Sequence, residues 1–271
     1  MFSKKSGVFL SVITSKDNPS VKLYMKLSSS KKERKNLSMY VLEGYRLITD
    51  AIKENSLVRQ IFFTEDAYEK YSGSLSQVDL KEVKTLIISN ELGIKISCTE
   101  KPQGVFAICS IPPEKNLKSS LKSDGRYVVL HQLQDPGNLG MIIRTADAVG
   151  IDGIILSQCC ELYSPKVIRS TMGSAFRMNI FDGCDIDSVF SCFKEKGISS
   201  YAAVIDKDAE DLRTCSFNGG SAVLIGNEGN GLPVQVADKC TQKVTIKMTG
   251  HINSLNAAMA AGIIMWEMTN K

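Results

Sequence analysis

The chain has 271 residues, 43% of them hydrophobic, and a formal net charge of +4 at pH 7. This composition gives room for two compact domains and excludes bulk disorder. The eight cysteines form no CxxC pair and there are only two histidines, so we expect reduced thiols, a cytoplasmic location and no metal site. No apolar run approaches the length of a membrane span or a signal peptide, and no membrane association is expected.

The positive charge is concentrated at the N-terminal end, where residues 1–60 hold twelve Lys or Arg and five Asp or Glu. Residues 1–15 show no periodicity and are interpreted as a leader. An apolar spacing that begins at Asn18 then predicts a helix, formed by Val21, Leu23, Tyr24 and Leu27. A basic run follows it, at Lys31, Lys32, Arg34 and Lys35. Such a run is either a solvated face or a phosphate-binding surface, and the residues alone leave both open.

Residues 16–110 alternate short apolar runs with helical patterns, which predicts a small α/β domain. The predicted strands cover residues 40–42, 61–63, 85–88 and 105–109. The predicted helices cover residues 44–54 and 89–96, and another begins near residue 65. Residues 111–125 combine proline, lysine and serine with little apolar content, so they are interpreted as a linker.

Residues 126–271 repeat a unit in which a strand leads into a helix, so we expect a mainly parallel sheet covered on both faces. Its predicted strands are 127–130, 154–156, 176–181, 201–205, 222–225 and 244–246. Its predicted helices are 138–150, a short one that begins at 164–166, 187–196 and a last one that ends near residue 268. The segment that leads to Gly220 is predicted to be a loop.

Three stretches of this second domain carry residues suited to a ligand site. The loop 226–233, GNEGNGLP, combines three glycines with Glu228, so that its backbone can approach a ligand closely. The loop 249–254 follows the last strand, and Asn253 or Ser254 is expected to cap the last helix. The stretch 138–144, NLGMIIR, opens a helix with Asn138 and carries Arg144. Loops at the carboxyl ends of parallel strands predict a shared site.

The order and spacing of these stretches resemble the motifs of the SpoU/TrmH branch of the SPOUT RNA methyltransferases. The matching patterns are NxGxxxR, GNExxGL and SLN. The resemblance implies methylation of a ribose 2′-hydroxyl by S-adenosylmethionine, in a domain with a deep trefoil knot, a rare exception among folds. It also implies a homodimer through the C-terminal domain, in which each site borrows from its neighbour. The first domain resembles the family's RNA substrate-binding domain, which is similar to a ribosomal-protein fold. The resemblance is carried by three stretches: NPxVK, residues 40–44 and PQG at 102–104.

The resemblance also assigns site residues by their positions in the motifs. The cofactor contacts are Gly226, Asn227, Gly231, Ile246, Met248 and Leu255. The catalytic set is Arg144, Glu228, Asn138, Ser254 and Asn256. Apart from these motifs, the basic run Lys31, Lys32, Arg34 and Lys35 is predicted to bind RNA through its positive charge.

Each role has a structural alternative. Arg144 is interpreted as holding the target phosphate or hydroxyl, because a guanidinium stays protonated and is a poor proton acceptor. Its alternative is a surface ion pair at the end of an amphipathic helix. Glu228 is a proton acceptor, an organiser of hydrogen bonds or a partner that holds Arg144, and its alternative is a solvated loop glutamate. Asn138 and Ser254 are alternatively helix caps.

The cofactor contacts also have a structural alternative, and the last loop departs from the family pattern at three positions. Ile246 and Leu255 are alternatively plain core residues. Lys247, Asn253 and Ala258 depart from the family pattern in the last loop, where Lys247 either rearranges the cofactor edge or adds a phosphate contact.

The leading hypothesis is an S-adenosylmethionine-dependent ribose 2′-O-methyltransferase of structured RNA, 23S-type ribosomal RNA in particular. The alternatives are a transfer RNA 2′-O-methyltransferase and an inactive RNA-binding protein of the same fold. A dinucleotide oxidoreductase is rejected, because the glycine loop lacks GxGxxG spacing and has no acidic ribose partner at the expected distance.

Overall fold

The computed structural model describes residues 11–54, 56–75 and 83–270. The chain divides into two compact units. The first unit ends at Pro112 and also includes Tyr163–Pro165. The second holds Pro113–Leu162 and the chain from Lys166 onward.

The first unit is an α/β domain with a mixed sheet in the order β1-β4-β2-β3. Strand β4 pairs antiparallel with β1 and β2, and β2 pairs parallel with β3. The elements in chain order are α1 (Pro19–Ser29), α2 (Lys31–Leu37), β1 (Met39–Glu43), α3 (Tyr45–Lys53), β2 (Val58–Thr64), α4 (Glu65–Leu75), β3 (Lys84–Ile88), α5 (Asn90–Ile96) and β4 (Val105–Ser110). The predicted α/β class of this domain is confirmed.

Local signals place α1 as predicted. The Asn18 side chain accepts a hydrogen bond from the Ser20 N–H at 3.0 Å, and the proline at the first helical position has its φ already set for a helix. The apolar face of α1 is buried on the sheet, where the Tyr24 ring meets Phe62 and Phe106 edge-on at 5.8 and 5.5 Å between centroids.

The predicted leader lies partly within the structure. Ile13 forms a parallel bridge with Ile88, through backbone hydrogen bonds of 2.9 Å to Ile87 and Ser89. The end of the leader therefore extends the edge of the sheet beside β3. Residues 1–10 lie outside the described residues.

The second unit contains a seven-stranded parallel sheet in the order β7-β6-β5-β10-β8-β11-β9. Its strands are β5 (Arg126–His131), β6 (Gly153–Ser157), β7 (Ile180–Phe181), β8 (Ser199–Ala203), β9 (Glu210–Asp211), β10 (Ser221–Ile225) and β11 (Gln242–Thr245). Its helices are α6 (Leu117–Ser120), α7 (Pro136–Val149), α8 (Pro165–Ser170), α9 (Ser174–Arg177), α10 (Ile186–Lys196), α11 (Val234–Ala237) and α12 (Ala257–Asn270).

The central strands are buried on both faces, which explains their continuous apolar runs. On one face Val129, Ala222 and Leu224 pack with Val189 and Phe193 of α10. On the other face, α7 packs on β6 and α12 packs on β5 and β10. The predicted parallel sheet with two covered faces is confirmed.

Several predicted boundaries differ from the structure. The predicted strand 176–181 is wrong, because helix α9 occupies its first part and only Ile180–Phe181 form a strand. The predicted loop before Gly220 contains strand β9, which pairs with β11. The predicted linker contains α6, since the apolar Leu117 and Leu121 pack on the core of the second unit.

No helix among the described residues is both long and apolar enough to cross a membrane.

Candidate active site

The candidate site lies where the strand order of the second unit changes direction. After β5 the chain moves to β6 on one side of the sheet, and after β10 it moves to β11 on the other side. Strands β5 and β10 are parallel neighbours, with Leu130 paired to Ile225. The loops after them therefore meet at one edge, and such a switch point is where open α/β sheets bind ligands.

Helix α7 begins beside this edge, and Asp135 caps it. The Asp135 carboxylate accepts a hydrogen bond from the Asn138 N–H at 2.8 Å, and Pro136 is the first helical residue. The prediction that Asn138 opens or caps this helix is therefore wrong. The sequence signal for the true start was Asp-Pro, and the cap leaves the Asn138 side chain available for other contacts.

Glu228 joins the glycine loop to the start of α7. Its carboxylate accepts hydrogen bonds from the backbone N–H of Asp135 at 2.8 Å, from that of Gln134 at 3.1 Å and from the Asn138 side-chain amide at 3.2 Å. A negative charge at a helix N-terminus is stabilised by the helix dipole. This carboxylate thus holds together two loops that are about 90 residues apart in sequence.

These contacts determine the ionisation of Glu228. Partial burial disfavours the charged form, but the hydrogen bonds from Asp135, Gln134 and Asn138 outweigh it, and the pKa of Glu228 lies below its ordinary value. A carboxylate with a lowered pKa and several fixed donors is a weak proton acceptor. Of the roles considered for Glu228, the geometry favours the organiser of hydrogen bonds.

Asn138 links Glu228 to the last helix. While its amide nitrogen donates to Glu228, its oxygen accepts a hydrogen bond from the Asn256 side chain at 3.0 Å. The Asn256 oxygen accepts from the N–H groups of Ala258 at 2.9 Å and Met259 at 3.3 Å, so it caps α12. The prediction that Asn253 or Ser254 caps this helix is wrong, since α12 begins only at Ala257. One residue from each of the three motifs therefore belongs to a single chain of hydrogen bonds, which runs through Glu228, Asn138 and Asn256.

The glycine loop is closed mainly by its own backbone. Asn227 and Gly231 exchange two backbone hydrogen bonds of 2.9 and 3.0 Å, and Gly231 takes a φ of +67°. A Cβ on Gly226 would lie 2.1–2.3 Å from the backbone of Gly231 and Leu232, so this glycine is required by the turn itself. The Asn227 side chain is also used internally, because its oxygen accepts from Gly229 and its amide donates to the Gln132 carbonyl at 2.9 Å.

Two residues of the predicted catalytic set stand apart from this network. Arg144 is exposed on α7, and within the described part of the chain no hydrogen bond or ion pair connects it to Glu228. Six positions of helix place it about 9 Å along the axis from Asn138. Ser254 is exposed in the last loop, and the described residues include no hydrogen-bond partner for it.

The loop between β11 and α12 exposes apolar side chains. Strand β11 ends at Thr245, so Ile246 is the first residue of this loop and not the strand residue that was predicted. Met248 and Leu255 are 36% and 37% exposed, and Ile252, which the sequence reasoning missed, is 72% exposed. Plain core packing is therefore excluded for Leu255, and the fold leaves these apolar side chains of the last loop exposed.

A family described as SpoU rRNA methylase matches residues 125–266, more than half of the chain. The chain belongs to the SpoU rRNA methylase family. The family recognised from the three motifs is thereby confirmed, and this SpoU protein is an RNA methyltransferase. A second family, the MRM3-like substrate binding domain, matches residues 18–107 within the first unit.

Curated relatives span nearly the whole SpoU chain. It is 29% identical to the 23S rRNA (guanosine(2553)-2'-O)-methyltransferase RlmP of Bacillus subtilis, over 94% of this chain and 98% of that protein. It is 32% identical to the tRNA/rRNA methyltransferase slr1673 of Synechocystis, over 94% of this chain and 92% of that protein.

A solved structure is similar over both units of the SpoU protein. It is the AdoMet-bound (S-adenosylmethionine-bound) rRNA methyltransferase from Sinorhizobium meliloti, with a TM-score of 0.82 and 29% identity. The similarity covers 95% of this chain and 97% of that chain.

Proposed function

We propose that this protein methylates a ribose 2′-hydroxyl of 23S-type ribosomal RNA, with AdoMet as the methyl donor. The observation that carries the proposal is the chain of hydrogen bonds from Glu228 through Asn138 to Asn256, which joins the three motifs at the switch point of the sheet. The full-length similarity to RlmP supports the ribosomal substrate. Residues 16–110 then serve as the RNA-binding domain of a cytoplasmic enzyme, and residues 126–271 as the knotted methyltransferase domain.

The residues of the site fit AdoMet. The exposed side chains of Met248 and Leu255 and the half-buried side chain of Ile246 suit the adenine ring, and the turn from Gly226 to Gly231 offers backbone groups to the cofactor. When bound, AdoMet supplies an electrophilic methyl group. The protein's contribution is to hold the target hydroxyl in line with that group, which provides a large share of the rate.

The side chains of the site divide this task. Arg144 binds the target hydroxyl or its phosphate and stabilises the negative charge that develops on the oxygen. Glu228 fixes the start of α7 and the Asn138 amide, which in turn holds Asn256. Ser254, exposed next to Leu255 in the last loop, contacts the nucleotide. No residue of this set other than Glu228 is a carboxylate, and its bonds suit positioning more than proton uptake.

We propose that the active unit is a homodimer through the second unit. Helix α12 exposes Met259, Ile263 and Trp266, which are 55%, 38% and 59% exposed and follow one helical stripe. Helix α7, which packs beside α12, exposes Met141 at 51%. An apolar surface of this kind marks an interface. In such a dimer the partner subunit's Arg144 completes the site, which accounts for its separation from Glu228 within one chain.

The double variant Met259→Glu/Trp266→Glu is expected to be monomeric in sedimentation velocity, whereas the unmodified protein is dimeric. Each lost side chain removes about 1.5–3 kcal/mol of apolar burial, and each new carboxylate opposes burial. Ile94→Glu is the matched control, because Ile94 is 68% exposed and lies on α5 of the first unit. A monomeric unmodified protein, or a double variant that stays dimeric, would contradict the dimer.

The RNA-binding set needs one correction. Lys31, Lys32 and Lys35 are exposed on α2, but Arg34 is buried at 5% exposure and donates to the carbonyls of Leu27 at 2.5 Å and Ser28 at 3.2 Å. Arg34 therefore ties α2 to the end of α1 and is not available to RNA. We propose that the three lysines alone bind phosphate.

Changing Lys31, Lys32 and Lys35 to glutamine is expected to weaken RNA binding and to lower the slope of log affinity against log salt by about 2 to 3. Thermal unfolding should remain unchanged, because these side chains are exposed. Arg34→Ala is the contrasting variant, and it should lower the unfolding temperature. Filter binding at several salt concentrations measures the slope. An unchanged slope in the triple variant would show that the basic run is a solvated face and does not bind RNA phosphates.

The experiment that tests the function is a map of 2′-O-methyl sites in total RNA from cells with and without the gene. A site in 23S-type rRNA that disappears with the gene is the expected result. A site that disappears from transfer RNA would reassign the substrate. The absence of any change, together with no methyl transfer from AdoMet by the purified protein, would favour a non-catalytic RNA-binding protein.

A further inference from the structure

Two glutamines stand side by side at the edge of the sheet that carries the candidate site. Gln132 follows the last residue of β5, and Gln158 follows the last residue of β6, where His131 and Ser157 are paired. Both adopt the left-handed backbone region, with φ of 61° and 56°. A residue with a Cβ rarely adopts this region, and such strained positions concentrate at functional sites.

The surrounding structure holds both glutamines in this conformation. The Gln134 side-chain amide donates to the carbonyls of Gln132 at 3.3 Å and Gln158 at 3.0 Å. The Gln132 carbonyl also accepts from the Asn227 side chain at 2.9 Å. The two strained backbones are therefore fixed by the glycine loop and by the residue that precedes the cap of α7.

The same contacts connect the pair to Glu228. Gln134 donates its backbone N–H to the Glu228 carboxylate at 3.1 Å, while its side chain holds the pair. Gln134 thus connects the two glutamines to the chain of hydrogen bonds that contains Glu228. The sequence reasoning assigned them no role, because a lone glutamine after a strand carries no local signal.

The pair presents unused hydrogen-bonding groups. The Gln132 amide nitrogen donates to the Gln158 side-chain oxygen at 3.1 Å. Among the described residues, nothing bonds to the Gln132 side-chain oxygen or to the Gln158 amide nitrogen. One acceptor and a neighbouring donor therefore remain, with Gln158 exposed and Gln132 half-buried. Glutamine amides pair with the edges of nucleobases through such a donor and acceptor, and RNA bases are read in this way where they are unstacked.

We propose that the Gln132–Gln158 pair reads the base of the nucleotide whose ribose is methylated. This inference rests on the proposed function. The bond between the two amides fixes their orientation, and the strained backbones bring both to the edge of the sheet beside Glu228. The pair acts in specificity, whereas Arg144 acts on the hydroxyl.

The test uses an RNA fragment that contains the 2′-O-methyl site mapped in cells, and three fragments that carry the other bases at that nucleotide. For the unmodified protein we expect kcat/KM to differ by roughly ten- to a hundredfold between the native base and the others. In Gln132→Ala/Gln158→Ala this preference should be lost, as methylation of the native fragment falls towards that of the others.

Two further variants distinguish a loss of base recognition from a loss of folding stability. Gln132→Gly/Gln158→Gly removes the amides and relieves the left-handed backbones, so it should fold at least as stably and still lose the preference. Gln132→Asn/Gln158→Asn keeps amides that tolerate this conformation but withdraws them by one methylene, and it should also lose the preference. Calorimetric binding of AdoMet should remain unchanged in all of them.

Folded variants that keep the base preference of the unmodified protein would overturn the proposal. An unmodified protein that methylates all four fragments equally would overturn it as well, while leaving the methyltransferase function intact. An unmodified protein that methylates none of them, with AdoMet present, would instead contradict the proposed function and this inference with it.

Discussion

Replacing Arg144 with alanine is expected to lower the rate of methyl transfer by roughly 10²- to 10³-fold, the loss typical when a donor to a developing oxyanion is removed. Arg144 is exposed on α7 and takes no part in the bonds among Glu228, Asn138 and Asn256. Its removal therefore leaves the fold and the AdoMet surface intact. Single-turnover methylation and calorimetric AdoMet binding measure the two effects separately.

Lys194→Ala is the matched control for Arg144→Ala, because it removes an exposed cation from the same unit, on α10. It should methylate at the unmodified rate. Mixing the Arg144→Ala protein with a Glu228→Ala protein should restore activity, since the proposed dimer contains one site with both residues intact. Turnover of Arg144→Ala within about tenfold of the unmodified rate would show that the arginine does not stabilise the transition state.

Glu228→Ala is expected to slow methylation by roughly 10²-fold, because a small displacement of positioned groups has an effect of this size. The substitution removes the acceptor for the N–H groups of Asp135 and Gln134 and for the Asn138 amide. Glu228→Gln keeps one acceptor oxygen, so it should retain more activity than the alanine variant. If the glutamine and alanine variants lost activity equally, Glu228 would be the proton acceptor after all.

The pH dependence of stability gives an independent check on Glu228. Its pKa is lowered in the folded protein, so its contribution to the free energy of unfolding is complete above the unfolded pKa and is lost as the pH falls through the folded pKa. The difference in unfolding free energy between unmodified protein and Glu228→Gln should therefore be constant at neutral pH and shrink below about pH 4.3.

Local sequence signals predicted most of the elements. Helix α1 followed from the apolar spacing that begins at Asn18, and the central strands followed from runs such as 127–130 and 222–225. These signals act between residues a few positions apart, so the sequence contains them in full. The failures occurred where such signals competed. The apolar residues of 176–181 fit both a helical turn and a strand. In the structure the first part belongs to α9, which contacts α7, and only Ile180–Phe181 form a strand.

The sequence by itself determined which chemical groups this protein has. The motifs around Asn138, Glu228 and Asn256 identified the SpoU family and the methyl-transfer chemistry before any contact was known. Only the tertiary structure decided which of these groups meet. Asn256 caps α12 while Ser254 stands apart, and Arg34 is buried while its lysine neighbours are exposed. These outcomes depend on strand order and on contacts between distant segments, which no local pattern encodes.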